Sequence, residues 1–312
     1  MTLRSPAWPR PLQTLWLAWC RRDLNPITAS CVLLGWLLLA VFGATPAHTL
    51  VVRLLPTGLA ALQYLLAALA VELVAAAGLL ALVATRRWWQ PAGLTTTRSQ
   101  LAAGFRLFGW LVPGLLLARL GMVIIRLASV IEHRTPREEH PLAILAAVVA
   151  IAVVEMALTA IAEELLFRGL VFNALLAAWG TTRRGIYLAA LTTSAVWGAV
   201  HLLNPGAISQ LLLNASFIAS MGLILAALRL RTGSIWAGVA FHWVNNVAGV
   251  LAVMGSVSGW WIKTPAMTSS WMQLGMSVLV ALGGLWLIEF HCRSLEDQPR
   301  RDQQATADVP AT

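Results

Sequence analysis

Long apolar runs separated by short polar segments dominate the chain from residue 26 to residue 290. About 20 residues, at a helical rise of roughly 1.5 Å each, cross a hydrocarbon core of roughly 30 Å. Backbone groups in lipid must be satisfied internally, and the runs lack the alternation of barrel strands. The pattern therefore predicts an all-α, polytopic membrane bundle of about eight transmembrane helices, at residues 26–44, 57–85, 105–130, 142–162, 186–203, 208–228, 235–254 and 271–290.

Polar sequence lies on both sides of this apolar region. Residues 1–25 carry arginines together with leucine and tryptophan at helical spacing, which predicts a basic arm at the membrane interface. Residues 26–293 form the predicted integral membrane domain, and the polar residues 294–312 are typical of a disordered tail. Nearly all intramembrane polar side chains fall at about 142–254, where we expect a protease-like core.

Composition excludes a water-soluble protein, since 59% of the residues are hydrophobic and only 11% are charged. The net charge of +9 does not indicate nucleic acid, because the basic residues lie in short connections instead of one stripe. Arginines concentrate at alternate connections, so the positive-inside rule predicts that both termini are cytoplasmic. Lys263 is the only lysine in an arginine-rich chain, and we expect a bacterial inner-membrane protein whose lipid partner is the bilayer.

The first polar motif contains Glu163, Glu164 and Arg168. Glu164 and Arg168 are four residues apart and share a helix face, which predicts an ion pair. Glu163 is rotated by about 100° from Glu164 and is left to face another partner. Ionisable side chains inside a span are costly and indicate function, although an ordinary charge cluster at a helix end has the same spacing.

The second motif places Trp197 four residues before His201 on one helix face. Glu163 and His201 are each nineteen residues from residue 182, which is the centre of a predicted turn. An antiparallel hairpin therefore puts the two side chains at similar depth. Alone, a histidine in a membrane helix is more typical of hydrogen bonding between helices.

The third motif contains His242 and Asn246, four residues apart on one face, whereas Asn245 is expected to point elsewhere. Asparagine also joins membrane helices by hydrogen bonds, so a purely structural role is an open alternative. His242 lies about ten residues from the preceding turn, which in straight helices places it at a different depth from His201.

The three motifs, in this order, resemble those of the CPBP intramembrane proteases, which include the type II CAAX prenyl endopeptidases and bacterial Abi-type relatives. The resemblance covers residues 142–250. The family usually has phenylalanine at the position of Trp197, and we expect this difference to matter little because the ring packs. The matching residues are Glu163, Glu164 and Arg168, then Trp197 and His201, then His242 and Asn246.

The resemblance implies an intramembrane endopeptidase. Glu163, assisted by His201, would activate a water, and His242 and Asn246 would stabilise the oxyanion. The substrate would be a membrane-embedded or membrane-associated peptide or protein. The remaining motif residues would support the site, namely Glu164, Arg168 and Trp197.

A zinc-dependent protease is an alternative within the same family. We expect no metal cofactor, because the chain has no His-Glu-x-x-His helix. If zinc is bound, the candidate ligands are Glu163, His201 and His242.

Two further classes stay open. An ion-coupled transporter would use intramembrane carboxylates, although the chain lacks the two related halves that many transporters show. A non-catalytic immunity or scaffold protein could keep the same fold, because a fold does not fix an activity. The candidate transporter carboxylates are Glu72, Glu155, Glu163 and Glu289.

Overall fold

The computed structural model describes residues 24–54, 60–130, 142–204, 207–257 and 266–307. These residues are helical almost throughout, and no strand occurs among them. The predicted all-α fold is therefore confirmed. Residues 1–23 of the predicted basic arm, which spans residues 1–25, lie outside the described residues.

The helices follow one another in a simple order along the chain. A π-helical turn at Leu165–Val171 joins α4 to α5, and a 3-10 turn at His201–Leu203 extends α6. The α-helices are α1 (Pro26–Leu54), α2 (Ala60–Arg86), α3 (Arg98–Val130), α4 (Leu142–Glu164), α5 (Phe172–Trp179), α6 (Arg183–Val200), α7 (Ile208–Thr232), α8 (Trp236–Val257) and α9 (Ala266–Ala307).

Local sequence signals fix where several helices begin and end. The carboxamide of Asn25 accepts a hydrogen bond from the backbone of Thr28 at 3.0 Å and so caps α1. The hydroxyl of Thr182 caps α6 by accepting a hydrogen bond from the backbone of Gly185 at 3.2 Å. Helix α7 ends at Gly233, which has a φ of +65° in the left-handed region that favours glycine.

Four of the described helical segments are long and apolar enough to cross a membrane. Large apolar side chains on their outer faces are exposed, as in a protein solvated by lipid, and Leu279 and Trp286 are examples. The chain is therefore an integral membrane protein, while the number of eight spans stays a prediction. The four segments are Leu65–Arg86, Arg183–Leu203, Ile208–Thr232 and Gln273–Asp297.

The polar C-terminal segment, for which a disordered tail stays a prediction, is helical over most of its length. Helix α9 continues through residues 294–307, and residues 308–312 lie outside the described part. An existing helix is extended without the cost of nucleation, so a polar segment that follows an apolar span can stay helical. Amino-acid composition alone does not predict this extension of the helix.

Helix α7 occupies the centre of the C-terminal half, where it packs on α6 and α9. Small residues bring these backbones close together. A Cβ added at Gly198 would lie 2.5 Å from the carbonyl of Ala215, and one added at Gly284 would lie 2.6 Å from Leu223. Such close approach is typical of membrane helix pairs. Helix α4 packs on α2 and α8, which brings the first and third motifs together.

Candidate active site

The first motif lies at the end of α4, where the helix widens into the π-helical turn. Glu163 is 6% exposed, Glu164 is fully buried and Arg168 is 1% exposed. The backbone N–H of Phe172 donates to the carbonyl of Phe167, five residues earlier, as a π-helical turn requires. Such turns occur often at functional sites. Two carboxylates and a guanidinium are thus held in the protein interior, where each needs a partner.

Trp197 is the hydrogen-bond partner of Glu163. Its indole N–H donates to Oε2 of Glu163 at 2.6 Å, and both side chains are buried. The ring packs as expected, and it also carries a hydrogen-bond donor that phenylalanine lacks. The indole therefore orients the carboxylate, and the presence of tryptophan in place of phenylalanine has a consequence for the site.

His242 lies between the two carboxylates. Its Nε2 is 3.9 Å from Oε2 of Glu163, and its Nδ1 is 3.3 Å from Oε1 of Glu164. A carboxylate can only accept, so the contact to Glu164 assigns a proton to Nδ1. The imidazole also meets the indole of Trp197 edge to face, with ring centroids 5.1 Å apart. His242 on α8 thus contacts residues of α4 and α6.

The ion pair predicted from the spacing of Glu164 and Arg168 is present. Nη1 of Arg168 lies 3.2 Å from Oε1 of Glu164, and the guanidinium stacks over the indole of Trp197 at 4.2 Å. Neighbouring backbones leave no space around the pair. A Cβ added at Gly238 would lie 2.8 Å from Oε2 of Glu164, and one at Gly222 would lie 3.0 Å from Nη2 of Arg168.

His201 begins the 3-10 turn at the end of α6 and is partly exposed. Its Nδ1 is 2.9 Å from the carbonyl of Trp197, which can only accept, so Nδ1 carries the proton and Nε2 has a free lone pair. Among the described residues, His201 has no hydrogen bond to Glu163. The depth difference expected between His201 and His242 does not separate them, because both rings contact Trp197.

Asn246 lies one helical turn beyond His242 and borders a cavity of about 540 Å³. Its Oδ1 accepts a hydrogen bond from Nδ2 of Asn245 at 3.3 Å, which leaves its own NH₂ group as a donor. Asn245, expected to point elsewhere, lines the same cavity. Helical spacing alone separates these adjacent residues by about 100° and gave no signal of this contact.

The candidate zinc ligands are Glu163, His201 and His242. Among the described residues, no group of three His, Cys, Asp or Glu side chains is placed to hold a metal ion. Nδ1 of each histidine faces an acceptor, and Oε2 of Glu163 accepts the indole N–H, so Nε2 of each histidine and Oε1 of Glu163 are the atoms left to bind a ligand. Zinc dependence therefore stays a prediction for these three residues.

Among the carboxylates considered for an ion-coupled transporter, Glu72, Glu155 and Glu163 lie close enough to repel one another, whereas Glu289 lies apart on α9. Glu289 on α9 pairs with Arg183 and Arg293 and accepts a hydrogen bond from the hydroxyl of Tyr187 at 3.0 Å. Glu155 accepts a hydrogen bond from the hydroxyl of Thr159 at 3.2 Å. Glu289 thus joins α9 to α6 through an ion-pair network, as a structural residue does.

Trp197→Phe is expected to lower catalytic activity about tenfold and to destabilise the protein by about 1–3 kcal/mol. The substitution keeps an aromatic ring but leaves the buried carboxylate of Glu163 without its donor. Peptide cleavage and thermal unfolding in detergent measure the two effects. Trp243→Phe is the matched control, because that indole N–H donates to the neutral carbonyl of Val153 at 3.0 Å. Equal activity losses in both variants would contradict a specific role for the Trp197 donor.

The chain is a helical membrane protein in which a buried carboxylate is held by an indole and lies close to His242. Residues 144–248 match the family model of the Rce1-like type II CAAX prenyl endopeptidases. The resemblance predicted from the three motifs is thereby confirmed over these residues, which carry every residue of the candidate site. No curated protein and no solved structure matches the chain.

Proposed function

We propose that the protein is a CAAX-type intramembrane endopeptidase that hydrolyses a peptide bond with a water activated at Glu163. The observation that carries the proposal is the buried Glu163 carboxylate, fixed by Trp197 and close to His242, within the segment similar to CAAX prenyl endopeptidases. The arginine distribution supports a bacterial inner membrane with both termini in the cytoplasm.

Glu163 is the general base in this mechanism. Oε2 of Glu163 accepts the indole N–H, so its other oxygen is the one that takes a proton from the attacking water. Nε2 of His201 has a lone pair, because Nδ1 donates to the carbonyl of Trp197. This nitrogen accepts a hydrogen bond from the second hydrogen of the water. That bond orients a lone pair of the water oxygen toward the scissile carbonyl.

His242 and Asn246 stabilise the tetrahedral intermediate. Glu164 accepts the Nδ1 proton of His242 and so fixes the ring with Nε2 toward Glu163, and this nitrogen donates to the oxyanion when it carries a proton. The NH₂ group of Asn246 is free to donate because its Oδ1 accepts from Asn245. The two donors lie on one face of α8, four residues apart.

The intermediate then collapses. The carbon–nitrogen bond breaks as Glu163 transfers the proton taken from water to the leaving amine, and the new carboxylate departs. Glu164 and Arg168 hold His242 and Trp197 in place through the ion pair and the stacked guanidinium. Every step uses side chains of this chain and water. The proposed substrate is a membrane-embedded or membrane-associated peptide or protein, and nucleic acid is not a partner.

Chelation tests the metal-free form of this proposal. The purified protein in liposomes receives a mixture of blocked peptides from a digested bacterial membrane proteome, and mass spectrometry reads new termini. We expect cleavage to persist after exhaustive treatment with a zinc chelator, within about twofold of the untreated rate. Loss of cleavage with the chelator, restored by added zinc, would establish the zinc-dependent alternative.

A further inference from the structure

Among the described residues, the cavity beside Asn246 is lined without a single charged side chain. It lies between α3, α7, α8 and α9 and has a volume of about 540 Å³. Among the described residues, its wall contains carboxamide side chains together with phenylalanine, leucine, isoleucine, valine and methionine. Sites for small ligands usually have roughly 300–1,000 Å³ and such a mixed lining. A lipid-facing bundle with only a packing role gives no reason for so many amides at one cavity.

Three of these carboxamides bond to one another across α7 and α9. Nε2 of Gln210 donates to Oδ1 of Asn214 at 3.1 Å and to Oε1 of Gln273 at 3.1 Å. Nε2 of Gln273 donates to Oδ1 of Asn214 at 2.7 Å. We call Gln210, Asn214 and Gln273 the amide cluster. Each bond fixes the orientation of an amide group, so the cluster presents a defined set of donors and acceptors.

The cluster keeps hydrogen-bonding capacity that its internal bonds do not use. In the part of the chain that the structure describes, Oε1 of Gln210 and the NH₂ group of Asn214 have no hydrogen-bond partner. One strong acceptor and one strong donor therefore remain beside the cavity. A cluster that served only to join two helices would use these groups between the helices.

The remaining donor and acceptor match the chemistry of a peptide backbone. Each peptide unit offers one N–H donor and one carbonyl acceptor, and both must be satisfied once they leave water. Apolar walls such as Phe217 and Met276 suit apolar side chains on the same segment. An ionised side chain would lose its hydration there without an opposite charge, at a cost of several kcal/mol.

We propose that the amide cluster binds the backbone of an extended, uncharged, apolar peptide segment and thereby positions the adjacent peptide bond at Asn246 and Glu163. The segment enters the cavity with its backbone against Gln210, Asn214 and Gln273. Its side chains contact the apolar wall. The inference rests on the proposed function for the fate of the bound segment, whereas binding itself requires no cleavage.

Binding is measured with the full-length Glu163→Gln variant in detergent micelles, so that the probe stays intact. The probe is a fluorescein-labelled peptide of alternating leucine and alanine with both ends blocked, and fluorescence anisotropy reports its Kd. We expect the same peptide with one central lysine to bind at least tenfold more weakly. Gln273→Leu and Gln210→Leu, each added to this variant, are expected to raise the Kd of the neutral peptide about tenfold.

Gln100→Leu is the matched control, because it makes the same chemical change on α3 at a residue that does not line the cavity. Its Kd should stay within twofold. Should Gln273→Leu fail to fold, the exposed Gln210 supplies the decisive variant, since its truncation leaves no buried group without a partner. Equal binding of the neutral and lysine peptides, or an unchanged Kd in the Gln210→Leu variant, would overturn the proposal.

Cleavage by the otherwise unmodified protein separates binding from chemistry. Gln210→Leu should raise KM about tenfold and change kcat by less than about twofold, since the cluster positions the substrate without touching the reacting atoms. A fall in kcat at constant KM would contradict the assignment. If the unmodified protein cleaves nothing yet the Glu163→Gln variant binds the neutral peptide selectively, the proposed function fails and the peptide-binding cavity stands.

Discussion

Glu163→Gln is expected to reduce peptide cleavage by at least about 10²–10⁴-fold. The substitution keeps the size of the side chain, and the carboxamide oxygen can still accept the indole N–H of Trp197. An amide cannot take a proton from water, so the general base is lost while the local packing is preserved. Initial cleavage rates in liposomes, read by mass spectrometry, measure the effect.

Two controls make this result specific. Glu296→Gln removes an exposed carboxylate of α9 and should leave the cleavage rate unchanged. The Glu163→Gln variant should unfold within a few degrees of the unmodified protein, since its buried oxygen keeps a donor. Activity within tenfold of the unmodified protein would contradict the role of Glu163 as general base.

Arg168→Met is expected to destabilise the protein by about 3–5 kcal/mol. Arg168 is 1% exposed, and its removal leaves the fully buried Glu164 without the guanidinium that pairs with it. The indole of Trp197 also loses the stacked cation at 4.2 Å, which orients the ring toward Glu163. Thermal unfolding in detergent measures the stability, and cleavage should fall with it.

Replacing both members of the ion pair isolates the cause. The double variant Glu164→Gln with Arg168→Met removes both charges of the pair and should recover a large part of the lost stability. Arg184→Met removes an exposed arginine from α6 and serves as the control, with an expected change below about 0.5 kcal/mol. A double variant no more stable than Arg168→Met alone would show that the loss arises from packing instead of charge.

Much of the fold could be predicted from the sequence, because membrane helices are recognised by the length and the low polarity of their apolar runs. The apolar runs at residues 57–85, 186–203 and 208–228 coincide largely with helices that can span a membrane. Residues four apart on one helix face gave the ion pair of Glu164 and Arg168. Both signals are local, and neither depends on how helices pack.

The features of the candidate site that could not be predicted depend on contacts between helices. The hydrogen bond from Trp197 to Glu163 joins residues 34 positions apart on α6 and α4. The spacing of residues within either helix does not predict this contact. The π-helical turn at Leu165–Val171 also breaks the regular 3.6-residue period that the face assignments assume. His242 could therefore be placed on a helix face but not between two carboxylates.

The amide cluster is a second feature that could not be predicted from the sequence. Gln273 lies outside the segment that matches the Rce1-like family, and Gln210 and Asn214 lie inside it. No motif links the three residues. Only the packing of α7 against α9 brings these carboxamides to one cavity with Asn246.

Hydrolysis in water enriched in ¹⁸O tests the central claim most directly. The unmodified protein and the Glu163→Gln variant are each reconstituted in liposomes with the peptide mixture, and mass spectrometry reads the new termini. The proposed mechanism predicts one ¹⁸O atom in each new terminal carboxylate from the unmodified protein and no new termini from the variant. New termini that form equally with the variant, or none from the unmodified protein, would contradict an endopeptidase that activates water at Glu163.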